Sequence, residues 1–209
     1  MKSKLKALLV SMAAMLFLAA FNSTYSDQFK LWSPAVKGSP MTGFDSGLKS
    51  SGSISPLYAA GVNESPNRRS FPFIWKNVPE GTKYLALILD DPDAKKVMEA
   101  NGMKGNSFLH WIAADIDASQ KGLKDNASAI SHEFTQGKNG AGFIGYMGPQ
   151  PPSDFPKDAA KPIIHIYRLK VYALSAPTGL KDGFSLDELL DAMRDKTLGI
   201  AELDFSYHN

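Results

Sequence analysis

The chain has 209 residues, of which 44% are hydrophobic, with a formal net charge of +2 at pH 7 and no cysteine. The lack of cysteine excludes a fold held by disulfides, so an apolar core must stabilise the protein, and a chain of this length can supply one. The small net charge excludes the strong basic excess that drives nucleic-acid binding. We therefore expect one globular domain that does not bind nucleic acid.

Residues 1–26 have the layout of a secretory signal peptide. A start with three lysines precedes an apolar run over 7–21, and small side chains at Thr24 and Ser26 suit cleavage after Ser26. Cleavage would leave a single domain at 27–209, whose formal charge becomes −1 because three lysines and no acid are lost. The expected location is periplasmic or secreted. An uncleaved membrane anchor is the alternative, although the run is shorter than the ~20 residues that span a bilayer.

Three later apolar runs, at 84–89, 108–114 and 163–172, have the length and composition of buried strands. Shorter strands are expected at 71–75 and, rich in glycine, at 142–148. No helical pattern separates the runs to serve as a crossover, so antiparallel pairing is favoured over a parallel α/β arrangement. The sequence predicts a mainly β protein of about eight strands.

One segment is predicted to be helical. Ser185 and Glu188 form a capping box, in which each side chain can bond to the other residue's backbone amide. The helix is expected to end near 195–197, and a last strand to cover 200–205. Four apolar side chains share one helical face, namely Leu186, Leu189, Leu190 and Met193.

The candidate functional residues lie on and after these strands. His110 and His165 sit within apolar runs, and Asp91 and Asp93 follow the run at 84–89. A carboxylate can orient an imidazole and favour its charged form, which would leave the other ring nitrogen for a shared anion. The alternatives are a solvated turn at the aspartates and two histidines that are merely satisfied within the core.

Other chemistry has weaker support. Two histidines and an aspartate could bind zinc, but no short ligand spacing is present. The chain has no nucleophile elbow, phosphate loop or dinucleotide fingerprint. A hydrolase that uses an Asp/His pair as a general base stays open as an alternative. We expect no cofactor and no metal, and we do not expect an enzyme.

A loop rich in glycine and proline, at 145–152, is the most distinctive stretch. Its glycines would let backbone amides approach a ligand, and its prolines would stiffen the loop. A rigid turn without a binding role is the alternative. Tyr167 lies two residues after His165 and would face the same side of a strand.

The chain resembles the phosphatidylethanolamine-binding protein family, and specifically its bacterial branch, often called Raf-kinase-inhibitor-like. The resemblance covers most of residues 70–175. Its motifs, in the family's order, are Leu-Ile-Leu-Asp-Asp-Pro-Asp-Ala (87–94), His-Trp (110–111), Gly-Tyr-Met-Gly-Pro-Gln-Pro-Pro (145–152) and His-Ile-Tyr (165–167).

The resemblance implies an antiparallel, Greek-key-type β-sandwich with one or two peripheral α-helices. It also implies a pocket for a small anionic ligand, either phosphate or a phospholipid headgroup. Family members further suggest peripheral membrane contact, a homodimer, and an alternative role as an extracytoplasmic interaction or inhibitor module. The pocket residues carried over are Asp91, Asp93, His110, Gly148, Pro149, His165 and Tyr167.

The chain departs from the family pattern around this pocket. Lys95 replaces the proline that usually follows the Asp-Pro-Asp-Ala motif, and Ile166 replaces an arginine. The loops at 94–106 and 153–164 are long, and both are expected to flank the pocket. These departures lie around the pocket and therefore bear on the choice of ligand.

Overall fold

A computed structural model describes residues 28–37, 52–59, 68–100, 102, 104–151 and 164–208. The expected signal peptide and nearly all of the 153–164 loop lie outside the described residues. No helix in the described ranges is long and apolar enough to cross a membrane.

The described part of the chain contains ten strands and three short α-helices. The strands are β1 (Lys30–Trp32), β2 (Val36–Lys37), β3 (Gly52–Ile54), β4 (Phe73–Lys76), β5 (Tyr84–Asp91), β6 (Phe108–Asp117), β7 (Gly122–Leu123), β8 (Thr135–Gln136), β9 (Ile164–Leu174) and β10 (Thr197–His208). The helices are α1 (Lys95–Ala100), α2 (Ala127–Ile130) and α3 (Leu186–Met193).

The strands form two sheets that pack across one core. The smaller sheet has the order β1-β4-β7, and the larger has the order β2-β3-β10-β9-β5-β6-β8. The predicted mainly β, sandwich-type fold is confirmed. Its antiparallel character holds for every described strand pairing except that of β3 with β10, which is parallel and makes the larger sheet mixed.

β5 is buried on both faces, which explains its unbroken apolar sequence. Leu85, Leu87 and Leu89 face the smaller sheet and join the main core. Ala86 and Ile88 face the other way and pack in a second cluster that includes Leu189 and Met193 of α3. The central strand is therefore held from two sides.

α3 starts at the predicted capping box. The Ser185 hydroxyl accepts a hydrogen bond from the Glu188 amide, and the Ser185 amide donates to Glu188 Oε2 at 2.7 Å. Leu189 and Met193 are buried, whereas Leu190 is 44% exposed and lies at the edge of the apolar face. The helix ends at Met193, slightly earlier than the sequence predicts.

The glycine-rich strand predicted at 142–148 is wrong. The segment forms only an isolated bridge between Lys138 and Ile144. Gly145 adopts φ +96°, and a Cβ atom there would lie 2.8 Å from the Ser128 hydroxyl oxygen. This left-handed conformation interrupts an extended ladder and favours glycine.

Removing the Ser185 cap should destabilise the protein. We expect Ser185→Ala to lower the free energy of unfolding by about 1 kcal/mol, because an amide at the start of α3 loses its acceptor. Ser175→Ala is the matched control, since no hydrogen bond of the Ser175 side chain to a described residue is seen. Urea denaturation of both variants checks this, and equal losses would contradict it.

Candidate functional site

Antiparallel pairing brings the candidate residues together. β5 pairs with both β6 and β9, so the end of β5 meets the starts of its two neighbours. Asp91 ends β5, while His110 and His165 lie near the starts of β6 and β9. These three side chains line one cavity of about 200 Å³. Residues from three separate stretches of sequence thus share one site.

Asp91 is the anchor of the site. It is only 3% exposed, and its Oδ2 accepts a hydrogen bond of 2.7 Å from His165 Nδ1. Its Oδ1 caps the 3₁₀ turn Pro92–Ala94 by accepting from the Ala94 amide at 3.0 Å. A solvated turn, which the sequence left open, is therefore wrong for Asp91.

His165 is 4% exposed, and its surroundings favour the imidazolium. Burial lowers the pKa of His165, but the hydrogen bond and charge of Asp91, together with the charge of Asp93, outweigh burial and raise the pKa above its usual value. Because Nδ1–H donates to Asp91, Nε2–H of the charged ring is the donor left for a bound group.

The surroundings of His110 differ from those of His165 in the protonation state that they favour. It is 3% exposed, and its Nδ1 donates to the Met147 carbonyl oxygen at 2.9 Å. A carbonyl oxygen can only accept, so Nδ1 carries the proton and Nε2 of the neutral ring is an acceptor. Burial lowers the pKa of His110; the carbonyls of Met147 and Gly148 and the charge of Asp91 oppose this shift without reversing it. The neutral form is therefore favoured.

The other aspartate of the motif supports the site from outside. Asp93 is exposed and does not line the cavity. Its Oδ2 accepts from the Ile166 amide at 2.8 Å and so ties the turn after β5 to β9. Its charge also helps to raise the pKa of His165. Asp93 therefore affects the cavity indirectly, because it positions the start of β9 and favours the charged form of His165.

The predicted loop and tyrosine also lie behind the cavity wall. Gly148 and Pro149 are buried, while their neighbours Met147 and Gln150 line the cavity. Tyr167 is fully buried and packs edge-to-face on His110, with ring centroids 5.1 Å apart. Its hydroxyl group lies close to Asp91 and to the backbone of Gln150. Burial, with the charge of Asp91, raises the pKa of that hydroxyl and keeps it neutral.

The sequence missed the apolar part of the cavity. α1, within the long 94–106 segment, brings Val97 and Met98 to the lining, so this segment does flank the site. The signal was a pair of apolar residues inside an otherwise polar stretch. The lining residues that were not predicted are Ala94, Val97, Met98, Phe108, Met147 and Gln150.

The geometry of the described residues does not support the alternative of a zinc site. No group of three or more histidine or acidic side chains in the described ranges is placed to hold a metal ion. Each imidazole Nδ1 instead bonds to a protein oxygen. Both rings and Asp91 therefore lie at the wall of a cavity whose other lining residues are mostly apolar.

Comparison with known proteins identifies the family to which the chain is similar. The family model for phosphatidylethanolamine-binding protein matches residues 46–208. A relative named UPF0098 protein, from Methanothermobacter thermautotrophicus, is 35% identical over 146 residues, which are 68% of this chain and 82% of that protein. The Bacillus subtilis protein YxkA is 35% identical over 147 residues, or 65% of this chain and 79% of that protein.

Solved structures show the same fold. A homologue from Chlamydia trachomatis, CT736, described as a phosphatidylethanolamine-binding protein homologue, superposes with a TM-score of 0.66 at 28% identity over 88% of this chain and 99% of its own. Escherichia coli YbcL gives a TM-score of 0.65 at 22% identity, with 87% of this chain and 98% of its own covered.

The fold and the cavity together define a β-sandwich protein of the binding type, with a small buried site at one end of its central strands. The chain belongs to the phosphatidylethanolamine-binding protein family, as the family match and the relatives show. The resemblance found in the sequence is confirmed.

The Asp91–His165 bond should make stability depend on pH. Because the pKa of His165 is raised in the folded state, protonation of this ring stabilises the fold. The contribution is complete below the unfolded pKa of about 6.5 and is lost as pH rises through the folded pKa. We expect His165→Gln to cost about 2 kcal/mol at pH 6 and less at pH 9. Urea unfolding at both pH values measures this, with the exposed His132→Gln as control. A loss that does not change with pH would contradict it.

Proposed function

We propose that this protein binds a small anionic group in the cavity between His110 and His165, as an extracytoplasmic binding protein. The observation that supports this most directly is the buried bond between Asp91 and His165 beside a second imidazole. It presents a protonated imidazole among buried side chains, where a charge-assisted hydrogen bond is stronger than in water.

The charges around the cavity favour an anion as the ligand. Asp91 already compensates the charge of His165, so the pair alone is close to neutral, and an anion adds one further bond to Nε2–H. A cation would instead meet the imidazolium at short range. The exposed Asp93 lies outside the lining and does not occupy the anion's place.

The lining residues support binding rather than a reaction. Among the described residues of the cavity wall there is no serine, threonine or cysteine that could act as a nucleophile. The family is named for binding. Phosphate-like groups and phospholipid headgroups are the proposed ligands, because both carry an anionic oxygen that His165 can reach.

Calorimetric titration tests the proposal with inorganic phosphate, phosphoethanolamine and acetate. We expect His165→Gln to weaken phosphate binding at pH 6 by about tenfold to a hundredfold, the cost of losing one charge-assisted hydrogen bond. His132→Gln changes the same residue type on the exposed surface and should bind as the wild type does. Equal affinity in all three proteins would reject the site.

Acetate isolates the effect of pH on the protein, because its charge does not change between pH 6 and 8. We expect acetate binding to weaken over this range as His165 loses its proton at a raised pKa. Binding that is unchanged from pH 6 to pH 8 would show that the imidazolium is not the anion's partner.

The extracytoplasmic location is a further part of the proposal. It is supported by the signal-peptide pattern of residues 1–26. Expression of the full chain in a bacterium, followed by fractionation and intact-mass measurement, tests it. We expect a periplasmic or secreted product that begins at Asp27, and a cytoplasmic product that keeps residues 1–26 would contradict the location without affecting the pocket.

A further inference from the structure

The hydrogen-bonding groups of the cavity are almost out of reach of solvent. Asp91, His110 and His165 are only 3%, 3% and 4% exposed, although all three line the cavity. A phosphate group is larger than a water molecule, so it needs a wider path to the two rings than water does. Part of the cavity wall must therefore move when such a ligand enters or leaves.

Two parts of the wall are fixed by hydrogen bonds. The central strand β5 pairs with β6 on one side and with β9 on the other. The Met147 amide donates to the His110 carbonyl oxygen at 2.9 Å, and the Met147 carbonyl oxygen accepts from His110 Nδ1 at 2.9 Å. Movement of either part would leave buried polar groups without their partners, which is costly.

The third part of the wall is α1, which is held differently. It has only six residues, whereas isolated helices shorter than ~12–15 residues are marginally stable in water. Its ion pair joins Lys95 Nζ to Glu99 Oε1 at 3.0 Å and lies within the helix, so this pair does not tie α1 to the sheets. The side chains that α1 contributes to the lining, Val97 and Met98, are both apolar. Apolar contacts are non-directional, so they can break and form again without leaving a polar group unsatisfied.

Met98 makes the contact that closes this part of the wall. It is 8% exposed, and a Cβ atom at Gly105 would lie 3.1 Å from its Cε. The glycine, at φ +142°, therefore leaves the space that the end of the Met98 side chain occupies. Before the helix, Asp91 Oδ1 holds the Ala94 amide, so the chain is anchored where α1 begins. Release of Met98 would thus allow α1 to rotate about this anchor.

We propose that α1 is a lid, which opens to admit a ligand to the cavity and closes again through Met98. The inference rests on the proposed function, because it concerns entry to the same site, and it adds the means by which access is controlled. Withdrawal of one methionine side chain from apolar contact makes the open state roughly tenfold to a hundredfold less populated than the closed state. The lid therefore opens transiently even when no ligand is present.

A single introduced cysteine reports the opening, because the chain has no cysteine of its own. Met98→Cys and Met193→Cys each replace a buried methionine by the same smaller residue, and Met193 packs in the cluster between α3 and the larger sheet. Both variants are treated with N-ethylmaleimide, and mass spectrometry follows the labelling. We expect Met98→Cys to react at least tenfold faster, because labelling of Met193→Cys requires α3 to leave the sheet.

Two further measurements accompany the labelling rates. Thermal melting checks that both variants fold. Low concentrations of urea should hardly change the labelling rate of Met98→Cys, because a local opening exposes little surface. A rate that rises with urea as steeply as global unfolding does would show that Met98 is reached only by unfolding, and would overturn the lid.

Inorganic phosphate provides the second part of the test. At a concentration about ten times its Kd, measured by calorimetry for each variant, phosphate should slow the labelling of Met98→Cys by about tenfold, because it stabilises the closed state. The labelling of Met193→Cys should not change. Equal labelling rates in the two variants, or phosphate that binds without slowing Met98→Cys, would overturn the lid. If phosphate does not bind but Met98→Cys still reacts at least tenfold faster, the anion site fails while the lid is supported.

Discussion

The hydrogen bond between Asp91 and His165 is the interaction on which the site depends. It joins the end of β5 to the start of β9 in a place that water hardly reaches. A carboxylate or an imidazolium buried alone would be costly, and the loss of one partner of such a pair leaves the other uncompensated. The two residues are therefore stable there only together, and the pair places a protonated imidazole at the cavity while its net charge stays close to zero.

The same carboxylate also sets the position of the apolar wall. Asp91 Oδ1 caps the turn Pro92–Ala94, and α1 begins at the next residue, Lys95. Proline at the first position of the turn favours this geometry because its φ is already suitable. Val97 and Met98 reach the cavity from α1. Asp91 thus orients the His165 ring through Oδ2. Through Oδ1 it caps the turn that leads into α1, the helix that covers the cavity.

The two histidines of the site differ in pKa because their surroundings differ. Both are almost fully buried, and burial lowers the pKa of each ring. His165 has a carboxylate partner, which outweighs burial, whereas His110 has carbonyl partners, which do not. Tyr167 packs against the His110 ring and stacks on Phe205 at 5.6 Å, so the core holds the rings in place. The hydrogen-bonding groups of the site are therefore held in place by the aromatic core behind them.

Much of this was open to prediction from the residues alone. The runs at 84–89 and 108–114 identified central strands because burial on both faces demands continuous apolar sequence, and Ser185 with Glu188 identified the start of α3 because capping is local. The motif containing Asp91 and the two histidines pointed to a shared site through the family resemblance. The glycine segment at 142–148 was mistaken for a strand, because composition does not reveal the positive φ of Gly145.

The sequence by itself determined the element types and the residues that can carry charge inside an apolar core, because both follow from local preference and the cost of burial. Only the tertiary structure decided which oxygen each imidazole meets, and hence which ring is a donor and which an acceptor. It also decided that Val97 and Met98 reach the cavity. Such contacts join positions as far apart as Asp91 and His165, 74 residues along the chain, and strand register, rather than local sequence, brings them within bonding distance.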